Sequence, residues 1–141
     1  MKFVKCLLAL LLLVAVGCGT GGSSGVGQAD YGNSQTASAM FNAYMGANKG
    51  KTPPNEEAFR AFLETKQEVL LKTGRTIDGI LTSPRSGQPL EFVYGKKPVS
   101  GPNGMLYFAY EKEPIEGKRL VIAGRGIYEL MDESHFKQIF P

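Results

Sequence analysis

The segment MLYFAYEKEPIEGKRLVIAGRGIYEL, Met105–Leu130, holds two runs rich in aromatic and β-branched residues, Met105–Glu111 and Lys118–Ala123, on either side of Pro114–Gly117. Runs of six or so such residues separated by a Pro/Gly-containing connection are the signature of a β-hairpin. Gly124-Arg125-Gly126 then turns the chain into a further strand, Ile127–Leu130. Strand side chains alternate between faces, which places Leu106, Phe108 and Tyr110 on one side and Met105, Tyr107 and Ala109 on the other. Val93, Val121 and Ala123 join the second set. Both faces of the sheet are therefore apolar, although one suffices to receive the helices. The second face is either covered or an interaction surface, for which Val93, Tyr107 and Val121 are the candidates, with Arg85 as a possible partner for an anionic group. Glu111, Glu113 and Glu116 with Lys112 and Lys118 read as a solvated hairpin tip.

Upstream, Ser83-Pro-Arg-Ser-Gly-Gln-Pro89 is a cluster of turn residues, followed by a strand at Leu90–Tyr94 and a Pro/Gly loop at Lys96–Gly104. Downstream, Asp132 caps a short helix that turns Phe136 and Ile139 inward. Two helices precede the sheet. Ala37, Met40, Phe41, Tyr44 and Met45 recur at helical spacing, weakened at the end by Gly46 and Gly50. Asn55 caps a second helix with Glu56 and Glu57 in its first turn, an apolar stripe of Phe59, Phe62, Leu63 and Leu70, and a stop at Gly74. The fold class expected for residues 35–141 is α+β: two helices, then an antiparallel sheet of three to four strands and a short C-terminal helix.

The stretch SPRSGQPLEFVYG, with the hairpin AYEKEPIEGKRLVIAGRGIYEL and the acid-capped helix after it, resembles small secreted lipoproteins of planctomycete bacteria. Their corresponding turn often reads S-P-R-D-G-Q-P before a strand ending in Y-G. Ser83, Pro84, Arg85, Gly87, Gln88, Pro89, Tyr94 and Gly95 match, and Ser86 departs where an acid is common. The strand–turn–strand ending is also similar to the C-terminal region of pseudopilin-like proteins. The resemblance covers roughly residues 50–141. It implies a compartment and a fold, and because the family has no assigned activity it transfers no catalytic residue.

The N-terminus supports the same compartment. Lys2 and Lys5 precede an apolar stretch, Leu7–Val16, of 10 residues. A membrane-spanning helix needs about 20, so this run fits a secretory signal helix, residues 1–17. Ala15, Val16 and Gly17 set small residues before Cys18, as in the lipobox of bacterial lipoproteins; leucine is more usual where Ala15 stands. A thiol at that point is a nucleophile suited to thioether formation with diacylglycerol. Of the 2 cysteines, Cys6 leaves with the signal, so Cys18 has no partner for an intramolecular disulfide, and acylation removes an otherwise exposed thiol. Residues 18–34 then read as the lipidated cysteine and a flexible Gly/Ser-rich linker, sixteen residues of which span roughly 20–25 Å as a random coil.

Charge and motifs narrow the function. Of 16 basic residues, Lys2 and Lys5 go with the signal, which leaves 14 against 13 acidic, a net charge of +1. That balance gives no nucleic-acid footprint and no polybasic patch for a lipid surface. His135 is the single histidine, lies in the terminal helix outside any metal-ligand spacing, and would have to serve any catalytic triad alone. Glu56 and Glu57 are helix-start charges. No catalytic residue, metal or cofactor is expected. The reading is a lipoprotein held in the membrane through acylated Cys18, facing the periplasm or the cell surface, and serving as an interaction or envelope-structural module for another envelope protein. Alternatives are an accessory component of a pseudopilin or secretion assembly and, third, a cell-envelope enzyme.

Cys18 makes the membrane reading testable. Wild-type protein is expected to partition into detergent with Cys18 as its blocked N-terminus, and Cys18→Ser to remain unprocessed or in the aqueous phase. Recovery of wild type in the aqueous phase with a free N-terminus at another residue would refute the assignment.

Overall fold

The computed structural model describes residues 28–102 and 104–141. The signal segment, Cys18, the lipobox residues and the first part of the expected linker lie outside the described residues. The chain runs through α1 (Gln28–Ala47), α2 (Glu56–Glu64), α3 (Gln67–Lys72), α4 (Ile77–Leu81), β1 (Leu90–Phe92), β2 (Val99–Ser100), β3 (Leu106–Glu111), β4 (Lys118–Ala123), a 3-10 turn (Gly124–Gly126), β5 (Tyr128–Asp132) and α5 (Glu133–Ile139). The sheet is antiparallel in the order β1-β3-β4-β5, with β2 also pairing to β3. The fold is α+β.

Two apolar cores lie on the two faces of this sheet. On one, Phe41 of α1 stacks on Phe108 (ring centroids 4.5 Å apart) and meets Phe59 edge-on at 5.4 Å, with Leu63, Leu70, Ile80 and Ile122 closing round them. On the other, α5 lays Phe136 against Tyr107, Val121 and Met131, with Tyr110, Ile139 and Phe140 at its margin. Tyr107 is 1% and Val121 0% exposed. Their face is therefore core and not an interaction surface: the terminal helix, expected only to turn two residues inward, covers it. Val93 is half-buried just after β1, its N–H bonded to the Phe108 carbonyl at 2.7 Å.

The alternation of β3 is broken by a bulge. Tyr107 opposes Ala123 and Ala109 opposes Ile122, so Phe108 is one residue more than its partner strand supplies. Such an insertion shifts every later side chain by one face. Tyr107 and Tyr110 consequently share the α5 side, and Phe108 and Ala109 both enter the α1 side, against the strict alternation expected.

The helices differ from expectation in three places. α1 begins at Gln28, inside the stretch read as linker. Tertiary contacts outweigh the weak helix propensity of Gly32, Asn33 and Ser34: Tyr31 stacks on Tyr128 at 4.3 Å, and Arg75 donates to Asn33 at 3.2 Å. Gly32 admits the Arg75 guanidinium, since a Cβ there would lie 2.0 Å from it. The second predicted helix is two, α2 and α3, because the Thr65 hydroxyl takes the Phe62 carbonyl at 2.6 Å and the turn tightens. α4 was not expected; Thr76 caps it by accepting from Gly79 N–H at 3.0 Å, and it buries Ile80 and Leu81. Within the expected loop at 96–104, Val99 and Ser100 pair as β2.

Tyr107 reports on the covered face. Its hydroxyl donates to Glu129 at 2.7 Å, and burial, then that bond and the Glu129 charge, push the phenol up to about 12. Tyr107→Ser should destabilise the domain by about 3–5 kcal/mol in chemical denaturation, the scale for truncating a core aromatic, whereas Tyr107→Phe should cost only about 1 kcal/mol for the hydrogen bond. Because the folded pKa lies above the ordinary value of 10.0, Tyr107's contribution is intact below pH 10 and lost as pH rises towards 12. An unchanged midpoint for Tyr107→Ser would put the residue back on the surface.

Candidate functional site

The side chains that could serve a site fall into two groups, one locked inside the fold and one around an open cleft. The locked group centres on Glu111, which is 2% exposed and not part of a solvated tip. Its Oε1 accepts from the Ser83 hydroxyl at 2.5 Å; its Oε2 accepts from Arg85 Nη1 at 2.7 Å and from Leu120 N–H at 2.8 Å. Arg85 goes on to donate to the carbonyls of Ile115 (3.0 Å) and Lys118 (3.2 Å) at the hairpin tip. Ser83 Oγ also accepts from the N–H groups of Arg85 and Ser86, at 3.0 and 3.2 Å. Gly87 closes the turn with φ +68, a conformation that favours glycine.

Arg85, expected as a possible anion contact, is thus satisfied internally, its side chain only 9% exposed. The SPRSGQP turn is a clasp that ties the helical half to the β3–β4 hairpin. Arg119 continues it. Its guanidinium bonds both carboxylate oxygens of Glu133 at 2.7 and 3.0 Å, lies over the Phe136 ring at 4.5 Å, and reaches the carbonyls of Glu111 and Lys112. The hydrogen bonds from Arg119 hold the Glu133 carboxyl below the usual carboxylate range. His135 is exposed on α5, and Glu56 pairs with Arg60 at 2.7 Å. Among the described residues no group of three or more His, Cys, Asp or Glu could hold a metal, and no helix is long and apolar enough to cross a membrane.

The open group was missed. Ser38, fully buried on α1, donates to the Ala123 carbonyl and accepts from Gly126 N–H, both at 2.8 Å. These two bonds pin the 3-10 turn against the helix. Arg125 at its apex is left-handed, φ 62 and ψ 25, and its side chain is exposed with no ion-pair partner among the described residues. Beside it a cleft of about 370 Å³ is lined by Asn42, Leu106 and Ile127. Leu106 is 44% and Ile127 40% exposed, high for large aliphatic residues. An arginine between two glycines was the available signal; what the sequence could not show was that Asn42 and Leu106, far away along the chain, come to the same place. Such a cleft offers an aliphatic floor, a side-chain amide and a free guanidinium, the chemistry that receives a carboxylate with an apolar side chain next to it.

The clasp is the more direct test of the described geometry. Glu111→Gln or Arg85→Ala should each destabilise by about 3–5 kcal/mol, because each leaves one buried partner uncompensated. Replacing both, Arg85→Met with Glu111→Leu, should recover much of that loss in the same denaturation assay; an additive loss would show that the two side chains do not compensate one another. Comparison of the chain with protein-family models, with curated proteins and with solved structures finds no match in any of the three.

Proposed function

We propose that this protein is a membrane-anchored bacterial lipoprotein whose small α+β domain captures another envelope protein, without catalysis. The observation that supports the capture role is the cleft at Asn42, Leu106, Arg125 and Ile127. Two exposed aliphatic side chains and an unpaired arginine converge there on a turn held rigid by Ser38. A rigid turn lowers the entropy lost on binding, and an arginine beside apolar surface is the composition that concentrates binding energy. The partner chemistry that fits is a protein segment with an aliphatic side chain close to a carboxylate. Anchoring supplies the rest: the sequence at Ala15–Cys18 reads as a lipidation signal, which would concentrate the domain at the membrane where such partners reside.

In-membrane crosslinking from a photoreactive group at Leu106 should give a discrete adduct. Arg125→Glu should abolish it through charge reversal, and Leu106→Asp with Ile127→Ser should reduce capture by about tenfold or more with the thermal midpoint little changed. Crosslinking that is unaffected by Arg125→Glu would remove the cleft from the function.

A further inference from the structure

The loops that follow α1 and β1 meet at one corner of the domain. Gly95 N–H donates to the Pro53 carbonyl and the Thr52 hydroxyl to the Lys96 carbonyl, both at 2.8 Å. Gly95 has φ +64, and a Cβ there would stand 3.2 Å from the Pro54 carbonyl oxygen, so the two backbones approach as closely as a glycine permits. This zippering brings Lys49 and Lys51 of one loop to Lys96 and Lys97 of the other around an open concavity of about 450 Å³. All four lysines are exposed, and none has an ion-pair partner among the described residues. Among the described residues no acidic residue lines the concavity.

In a chain with 14 basic and 13 acidic residues after Gly17, four uncompensated cations on one concave surface are not a consequence of overall charge. Nor does the C-terminal end of α1 explain them. Its carbonyl dipoles favour a cation within the last turn, which accounts for Lys49 at most and not for Lys96 and Lys97. Lys49 is moreover left-handed, φ 55, at a position after a helix where glycine or asparagine is the usual residue. Of the two acids nearest in sequence, Glu56 is engaged by Arg60, and Glu91, on β1, does not line the concavity. Ammonium groups act as mobile point charges and suit compact, multiply charged oxyanions rather than planar carboxylates.

We propose that Lys49, Lys51, Lys96 and Lys97 form a binding site for a multiply charged phosphate group, separate from the protein-capture cleft. The test uses the full-length protein in non-ionic detergent micelles, titrated calorimetrically with inorganic pyrophosphate at low and at high salt. Binding should be saturable and weaken as salt screens the site. The triple variant Lys51→Gln/Lys96→Gln/Lys97→Gln should lose about tenfold or more in affinity, whereas Lys66→Gln/Lys112→Gln, which removes charge elsewhere, should change it less than about twofold. Doping the micelles with cardiolipin, whose headgroup carries two phosphates, identifies the source: displacement of pyrophosphate assigns the site to a lipid headgroup, and unchanged binding to a soluble phosphate compound. Absence of saturable binding, or an equal loss in both variants, would overturn the proposal. Circular dichroism of the triple variant guards against unfolding, and if it fails to fold, Lys96→Gln/Lys97→Gln carries the same test.

Discussion

A carboxylate taken out of water must be compensated by charge and by hydrogen bonds, and Glu111 is compensated by three groups from two separate parts of the chain. Ser83 and Arg85 come from the turn after α4, Leu120 N–H from the neighbouring strand. The clasp thus sets where the helical half meets the hairpin, and Arg85 in turn holds the hairpin tip through two of its carbonyls. Burial of such a pair contributes little net stability compared with an apolar replacement. Its effect is on geometry: the helix-side core centred on Phe41, the α5-side core and the pinned turn at Arg125 all depend on β3 and β4 being held in one position.

Local chemistry was legible where it is decided by neighbours in sequence. The β3–β4 hairpin and the Asn55 cap follow from spacing alone, and each is present. What escaped the sequence was decided across the fold. Glu111 sits amid lysines and glutamates at a hairpin tip, so its pattern is that of a solvated residue; only the arrival of Arg85 makes burial affordable. The bulge at Phe108 leaves no mark in a run of alternating apolar residues, since every position is apolar on either reading. Gly32 and Asn33 look like linker because the groups that order them, Tyr128 and Arg75, lie in distant elements.

The candidate sites show the same division. Arg85 and Tyr107 drew attention as an arginine in a turn and an aromatic on a spare face, and both proved to be interior. The exposed chemistry lies instead at junctions between elements far apart in the chain. Asn42 belongs with Leu106 and Arg125, and Lys49 and Lys51 with Lys96 and Lys97. Asn42 lies within α1 and Lys49 in the turn two residues beyond its end, so one helix leads from the first junction to the start of the second.

The bonds from Ser38 to Ala123 and Gly126 span 85 and 88 residues. Contacts of that separation form late, since the entropy of closing so long a loop must be met before they stabilise anything. α1 also packs on α2, α4 and β4, but its seat is completed only when the 3-10 turn and β5, within the last eighteen residues, are present. For a protein that we propose is exported, this delay has a use. A chain whose first helix lacks part of its docking surface until its last strand emerges locks later, and so stays threadable through a narrow pore for longer.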